Sequence, residues 1–330
     1  MKSDLARVQP RIRAVASAVR RVVRGRPAKL AGLAAGTALM LWGLWTTAQR
    51  IDMPQAFSLL GISGLAGTVV LAGLINLLGG LAWSLIASAV FPGISIISAT
   101  RMFFLTLPMK YVPGSVWSHV GRAGWLERTR SLPSPPEGLI KRSGLLVVAA
   151  DFALLLSSGL VATLISGLSS MPAVFQGRVG PQFWNACLVL AICVFGATPF
   201  VFGSLIGRRG RGPLLVFARR IWTAQVVQII DWLIGGFLLG VLVTALQAPL
   251  NRVVVLIGDS TLALYAGIMA GLAAIIVPNG LGIREMAMSV MYGDVATVEA
   301  GFIAGFLYRA LSMLTELLLF GLSALRGGRD

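Results

Sequence analysis

Eight consecutive residues, Pro278-Asn279-Gly280-Leu281-Gly282-Ile283-Arg284-Glu285, separate the apolar run 262–277 from another that begins at Gly301. In lipid, backbone polar groups must find partners within the protein. A proline that stops a helix, two glycines and a pair of opposite charges are costly there unless the broken backbone lines a cavity or is covered by protein. Ionisable residues at membrane depth are functional candidates by default, and Pro/Gly-interrupted apolar segments are the best sequence pointer to a transporter site. Pro278, Gly280 and Gly282 thus mark a backbone break, and Arg284 and Glu285 are its charges.

A looser counterpart lies upstream, where Pro113-Gly114-Ser115-Val116-Trp117 is followed by Arg122. Each break follows a short apolar approach and precedes a long apolar run, the pattern an internally duplicated transporter would show. In the last long run Arg309 and Glu316 are seven residues apart, so two helical turns set them on nearly the same face. Facing lipid at mid-bilayer, either charge would cost about 2.5–3.5 kcal/mol, so both should point inward. Two functions follow for the set. Arg122, Arg284 and Arg309 have the fork geometry that suits a phosphate. Glu285, Glu316 and Asp231, the last inside an apolar run, would balance charge or carry a proton. A purely structural alternative is an ion pair of Arg309 with Glu285 or Glu316 that holds the break in place. Asp151 lies near a predicted span end and His119 in a predicted interfacial loop, where both are expected to be solvated.

Other chemistries lack their residues. With one histidine and no Cys/His cluster, a zinc-type site would lack its usual ligands; no metal and no cofactor is expected. Cys187 and Cys193 share one apolar run and suggest small buried side chains rather than a disulfide framework. The Gly280/Gly282 pair follows no strand and lacks the third glycine of a dinucleotide loop, and no G-x-x-x-x-G-K-[ST] loop is present. Transport would then be passive, or driven by a gradient or by membrane potential.

The elements that must carry these residues are helices in a bilayer. At 56% hydrophobic and 12% charged residues, with a mean hydropathy of +0.84, the 330-residue chain is too apolar to cover itself with polar surface in water. Runs of about 20 or more apolar residues fall near 30–48, 62–90, 143–168, 183–207, 222–247, 258–277 and 299–324. Shorter stretches near 94–109 and 280–292 adjoin the two breaks and read as re-entrant or half-length helices. The expected fold class is all-α: a polytopic membrane protein of seven or eight spans with two broken segments. Residues 1–29 form a basic cytoplasmic arm or interfacial helix, and 30–330 form one transmembrane domain with halves at about 30–207 and 208–330.

The net charge of +16 resides in clusters between apolar runs, which fits the positive-inside rule and argues against a nucleic-acid partner. Basic-rich connections alternate with those holding a lone Arg50, Arg178 or Arg252, so the basic ones and the N-terminus should be cytoplasmic. Seven spans would leave Arg326 and Arg329 outside; an eighth crossing by one of the short stretches would bring them in, and eight are expected. Trp42, Trp45, Trp184 and Trp222 near span ends suggest aromatic belts. Gly236/Gly240, Gly267/Gly271 and Gly301/Gly305 permit close helix approach.

The segment Pro278 to Glu285, with Ala300 to Tyr308-Arg309 about two dozen residues later, resembles the closing signature of the lysylphosphatidylglycerol synthase transmembrane-region family of flippase-like membrane proteins. Tyr111-Val-Pro-Gly-Ser-Val-Trp117 through Arg122 is similar to that family's first signature, and the likeness extends from about residue 35 to 325. The resemblance implies a prokaryotic plasma-membrane protein that moves a lipid between leaflets, without the soluble aminoacyltransferase domain of bifunctional members. It also implies that Arg122, Arg284, Glu285 and Arg309 occupy motif positions. The expected partner is an anionic or phosphate-bearing lipid, with a lipid-biosynthetic enzyme as a protein partner. Two other readings stay open: a membrane enzyme of lipid-linked glycan metabolism, for which the predicted outer loops offer only Asp52 and Asp259, and a non-transporting membrane scaffold.

Overall fold

The computed structural model describes residues 53–325, apart from 92, 112–116, 129–136, 169–171, 179, 206–213, 248–252, 275–276, 278–279 and 293–294. The N-terminal arm, the first apolar run, Asp52, Pro113, Gly114 and Pro278 lie outside the described residues. Those that are described form nine α-helices and no strand: α1 Met53–Val90, α2 Ile96–Thr106, α3 Trp117–Arg128, α4 Glu137–Ser166, α5 Pro181–Leu205, α6 Leu214–Gln247, α7 Val253–Ala273, α8 Ile283–Met291 and α9 Val298–Leu325. A 3-10 turn, Leu107–Tyr111, continues α2.

Six of these helices are long and apolar enough to cross a bilayer: α1, α4, α5, α6, α7 and α9. The protein is an all-α polytopic membrane protein. These helices correspond to six of the seven long apolar runs, because every buried backbone group in such a run is satisfied within its own helix. The expected eighth crossing is not among them. At 1.5 Å per residue, the 11 residues of α2 and the 9 of α8 extend about 16 and 13 Å, against a hydrocarbon core of about 30 Å. Both are half-length, as their flanking breaks suggest.

Helix α1 packs along α6 more extensively than any other pair, and α6 in turn contacts α4, α5, α7 and α9. Apolar side chains on facing stripes close two cores. One gathers Trp232, Leu239 and Val243 of α6 with Leu264 of α7, Met288 of α8 and Tyr308 of α9. The other joins Trp83 and Ile86 of α1 to Leu126 of α3, Leu154 of α4 and Ile221 of α6. By contrast α5 exposes Phe183, Val189, Leu190, Ile192 and Val201, the apolar periphery of a protein whose solvent is lipid.

The small-residue pairs act as expected. A Cβ on Gly236 would stand 2.9 Å from Cα of Thr261 on α7, and one on Gly301 would stand 2.8 Å from Cα of Ser289 on α8. Trp184 is buried, its ring against Gly167 and its Nε1 donating to the Leu164 carbonyl at 3.1 Å.

The half-helix α8 folds back along α7, and Gly280 makes that return. Its φ of +64° is left-handed, and its missing side chain lets the turn rest on the backbone of Gly271. A Cβ there would lie 2.3 Å from Cα of Gly271. Gly280→Ala should therefore lower the melting temperature of the purified protein, with about 1–2 kcal/mol from the left-handed backbone alone and more from the clash. An unchanged melting curve would contradict this packing.

Candidate functional site: a charged cavity between the broken segments

At the second break, Glu285 closes the N-terminal end of α8. Its Oε2 accepts the Gly282 N–H at 2.8 Å, satisfying a backbone donor that the start of α8 would otherwise leave unpaired. Its Oε1 accepts from Arg309 Nη1 of α9 at 2.8 Å, with Glu285 1% and Arg309 6% exposed. Of the two arrangements open in the sequence, Arg309 with Glu285 is the one that forms. Gly282, at φ +80°, turns the chain into α8.

Glu316 is not held by Arg309. Its carboxylate pairs with Lys110 Nζ and accepts from Tyr111 Oη at 2.9 Å, both in the 3-10 turn after α2. Arg309 and Glu316 therefore use their shared side of α9 for two different clamps, one on each broken region. No sequence signal paired residues 206 positions apart; the signal that could have found Lys110 is its place directly after the apolar stretch near 94–109 and three residues before Pro113.

Arg122 of α3 is buried. Its Nε donates to Thr106 Oγ1 at 3.2 Å, and its Nη1 lies 3.5 Å from Asp151 Oδ2 of α4. The guanidinium carbon stands 4.1 Å from the centre of the Phe103 ring and 5.6 Å from that of Trp83, a stacking that suits guanidinium better than ammonium. Asp151 is thus an interior ion-pair partner and not a solvated interfacial acid. His119 also departs from expectation: its ring packs 4.4 Å from that of Phe152, with Nδ1 buried and 3.9 Å from Asp151 Oδ2. Burial, then the positive charges of Arg122 and Lys110, lower its pKa to about 3. It remains neutral at physiological pH and adds no charge. Asp259, expected in an outer loop, is buried within α7.

These elements enclose a cavity of about 260 Å³. Its wall carries Lys110, Arg122 and Arg284, with Asp151 and Asp231 as the acids and Asn76 and Gln228 as neutral polar groups. Arg309, Glu285 and Glu316 are not in that wall. Of the residues singled out from sequence, the cavity thus gathers Arg122, Arg284 and Asp231, and the other three charges brace the helices around it. Arg284 makes no ion pair and no side-chain hydrogen bond with the described residues. Among those residues there is also no group of three or more His, Cys, Asp or Glu that could hold a metal ion. A buried wall with one uncommitted guanidinium beside two committed cations can bind an oxyanion through charge-assisted hydrogen bonds.

The two clamps have a thermodynamic signature. Removing one member of a buried pair strands the other charge, at a cost of about 3–5 kcal/mol. Glu285→Ala should accordingly destabilise the protein strongly in thermal unfolding, whereas the double replacement Glu285→Leu with Arg309→Met should recover much of the loss. Equal destabilisation by the single and double variants would count against the pair as the element that holds α8. Compared with known proteins, the chain matches no family model, no curated protein and no solved structure.

Proposed function

We propose that this protein is a lipid translocase whose cavity takes the anionic or phosphate-bearing headgroup of a membrane lipid while the acyl or prenyl tails stay in the bilayer. The observation that carries the reading is Arg284, a guanidinium in a cavity wall with no carboxylate or hydrogen-bond partner among the described residues. Arg284 is partly buried, and a charge partly withdrawn from water without a partner is costly, a cost that a bound phosphate offsets. Arg122, already oriented by Thr106 and Phe103, and Lys110, already engaged by Glu316, supply the neighbouring positive field. Arg309 belongs to the frame.

Size supports the same reading. Sites that enclose a drug-sized ligand run to roughly 300–1,000 Å³, and a cavity of about 260 Å³ is on the scale of a headgroup rather than of a whole lipid. The likeness of residues 278–285 and Tyr308-Arg309 to the flippase-like family points the same way. The alternating basic connections favour a cytoplasmic N-terminus, and the resemblance to that family implies a prokaryotic plasma membrane.

The test is flipping of fluorescent phosphatidylglycerol in vesicles that contain the purified protein. Losing a charge-assisted hydrogen bond costs about 1.5–3 kcal/mol, so Arg284→Ala should slow flipping about ten- to hundredfold. Wild-type rates in Arg284→Ala would remove the proposed anion site. The recovered lipid should keep its mass, since an altered mass would assign the cavity to an enzyme.

A further inference from the structure

The acids around the cavity differ in what they are given to do. Asp151 faces Arg122; Glu285 accepts from Gly282 and Arg309; Glu316 accepts from Lys110 and Tyr111. Asp231 of α6 is the exception. It lines the cavity, yet its Oδ1 is buried and has no hydrogen-bond partner among the described residues. In the same wall Asn76 Nδ2 donates to the Ala72 and Ser312 carbonyls and to Thr315 Oγ1, and Gln228 accepts from Ser158 on its Oε1. A carboxylate oxygen in such a place must either find a donor or lose its charge.

We propose that Asp231 is a proton-binding site coupled to the anion site at Arg284, so that an anionic headgroup enters as Asp231 takes up a proton and leaves as Asp231 releases it. This rests on the reading of the cavity as an anion site. In the uptake step a proton delivered from bulk solution forms an O–H bond on the carboxylate, and the headgroup brings one negative charge to Arg284. The two additions cancel, so the low-dielectric cavity gains no net charge. Entry of the headgroup alone would set its charge against ionised Asp231 in the same wall, where like charges repel strongly.

The other titratable groups on elements packed against α6 do not fit this role. On α4 and α3, Asp151 and Arg122 are paired with each other, and His119 stays neutral. Beyond them, Lys110 and Glu316 form a pair, Arg309 pairs with Glu285, Asp259 of α7 and Glu299 of α9 lie outside the cavity wall and have partners of their own, and Tyr265 of α7 and Tyr308 of α9 are phenols, which stay protonated near neutrality. From α5 there are only Cys187 and Cys193, of which Cys193 is exposed.

The experiment uses the full chain in phosphatidylcholine vesicles and two readouts. The first is infrared difference spectroscopy during a pH titration, which reports the C=O stretch of a protonated carboxylic acid. Wild type should show an interior band that Asp231→Asn removes and Asp231→Glu restores at a shifted frequency. Dihexanoyl phosphatidylglycerol should move its titration to higher pH. The second is the rate of fluorescent phosphatidylglycerol flipping against pH. Wild type should slow as pH rises, by at most about tenfold per pH unit for one linked proton, and Asp231→Asn should show no such slope. A band that survives Asp231→Asn, or that ignores the added lipid, overturns the coupled site. So does a pH slope that survives Asp231→Asn. If no variant flips lipid, the translocase reading falls, and the infrared band with its lipid response still decides the proton site. Elution of each variant as the same folded species in size-exclusion chromatography, with rescue by Asp231→Glu, separates a lost proton site from a lost fold.

Discussion

The structure depends on the buried pair between Arg309 and Glu285. A membrane helix that stops and restarts exposes backbone donors to a medium that cannot satisfy them. Here one carboxylate answers both problems, because Glu285 caps the Gly282 N–H and neutralises a guanidinium brought by α9. The break is thereby turned into a fixed turn. Gly280 against Gly271 supplies the space, and Glu285 supplies the bonds.

Given that frame, the cavity can hold charge that the frame does not consume. Its wall holds three cations and two acids, and their commitments are uneven. Arg122 has a hydroxyl, an aromatic face and Asp151; Lys110 has Glu316; Arg284 and Asp231 have no such partners among the described residues. Polar groups in protein interiors are nearly always satisfied, so a cation and an acid left open in one small space are the groups available to a ligand.

Much of the architecture was legible in the sequence because it follows from local runs. Six of the apolar stretches are long helices, the two flanked by Pro/Gly are half-length, and the inward placement of Arg309 and Glu316 followed from the cost of lipid-facing charge. Helical spacing also placed those two residues together. It did not say with what they pair, because Lys110 meets Glu316, and Asp151 meets Arg122, only once helices distant in sequence are packed. His119 and Asp151 read as interfacial for the same reason: α3 looked like a loop, and its burial against α4 is a tertiary fact.

Helix α9 holds both broken regions, the second through Arg309 and the first through Glu316. The clamps have opposite polarity, so neither carboxylate nor base can exchange with its counterpart without meeting a like charge. The two interrupted segments are thus yoked to a common strut: a tilt or a turn of α9 displaces them in concert, and independent movement of either requires its own ion pair to be pulled apart first.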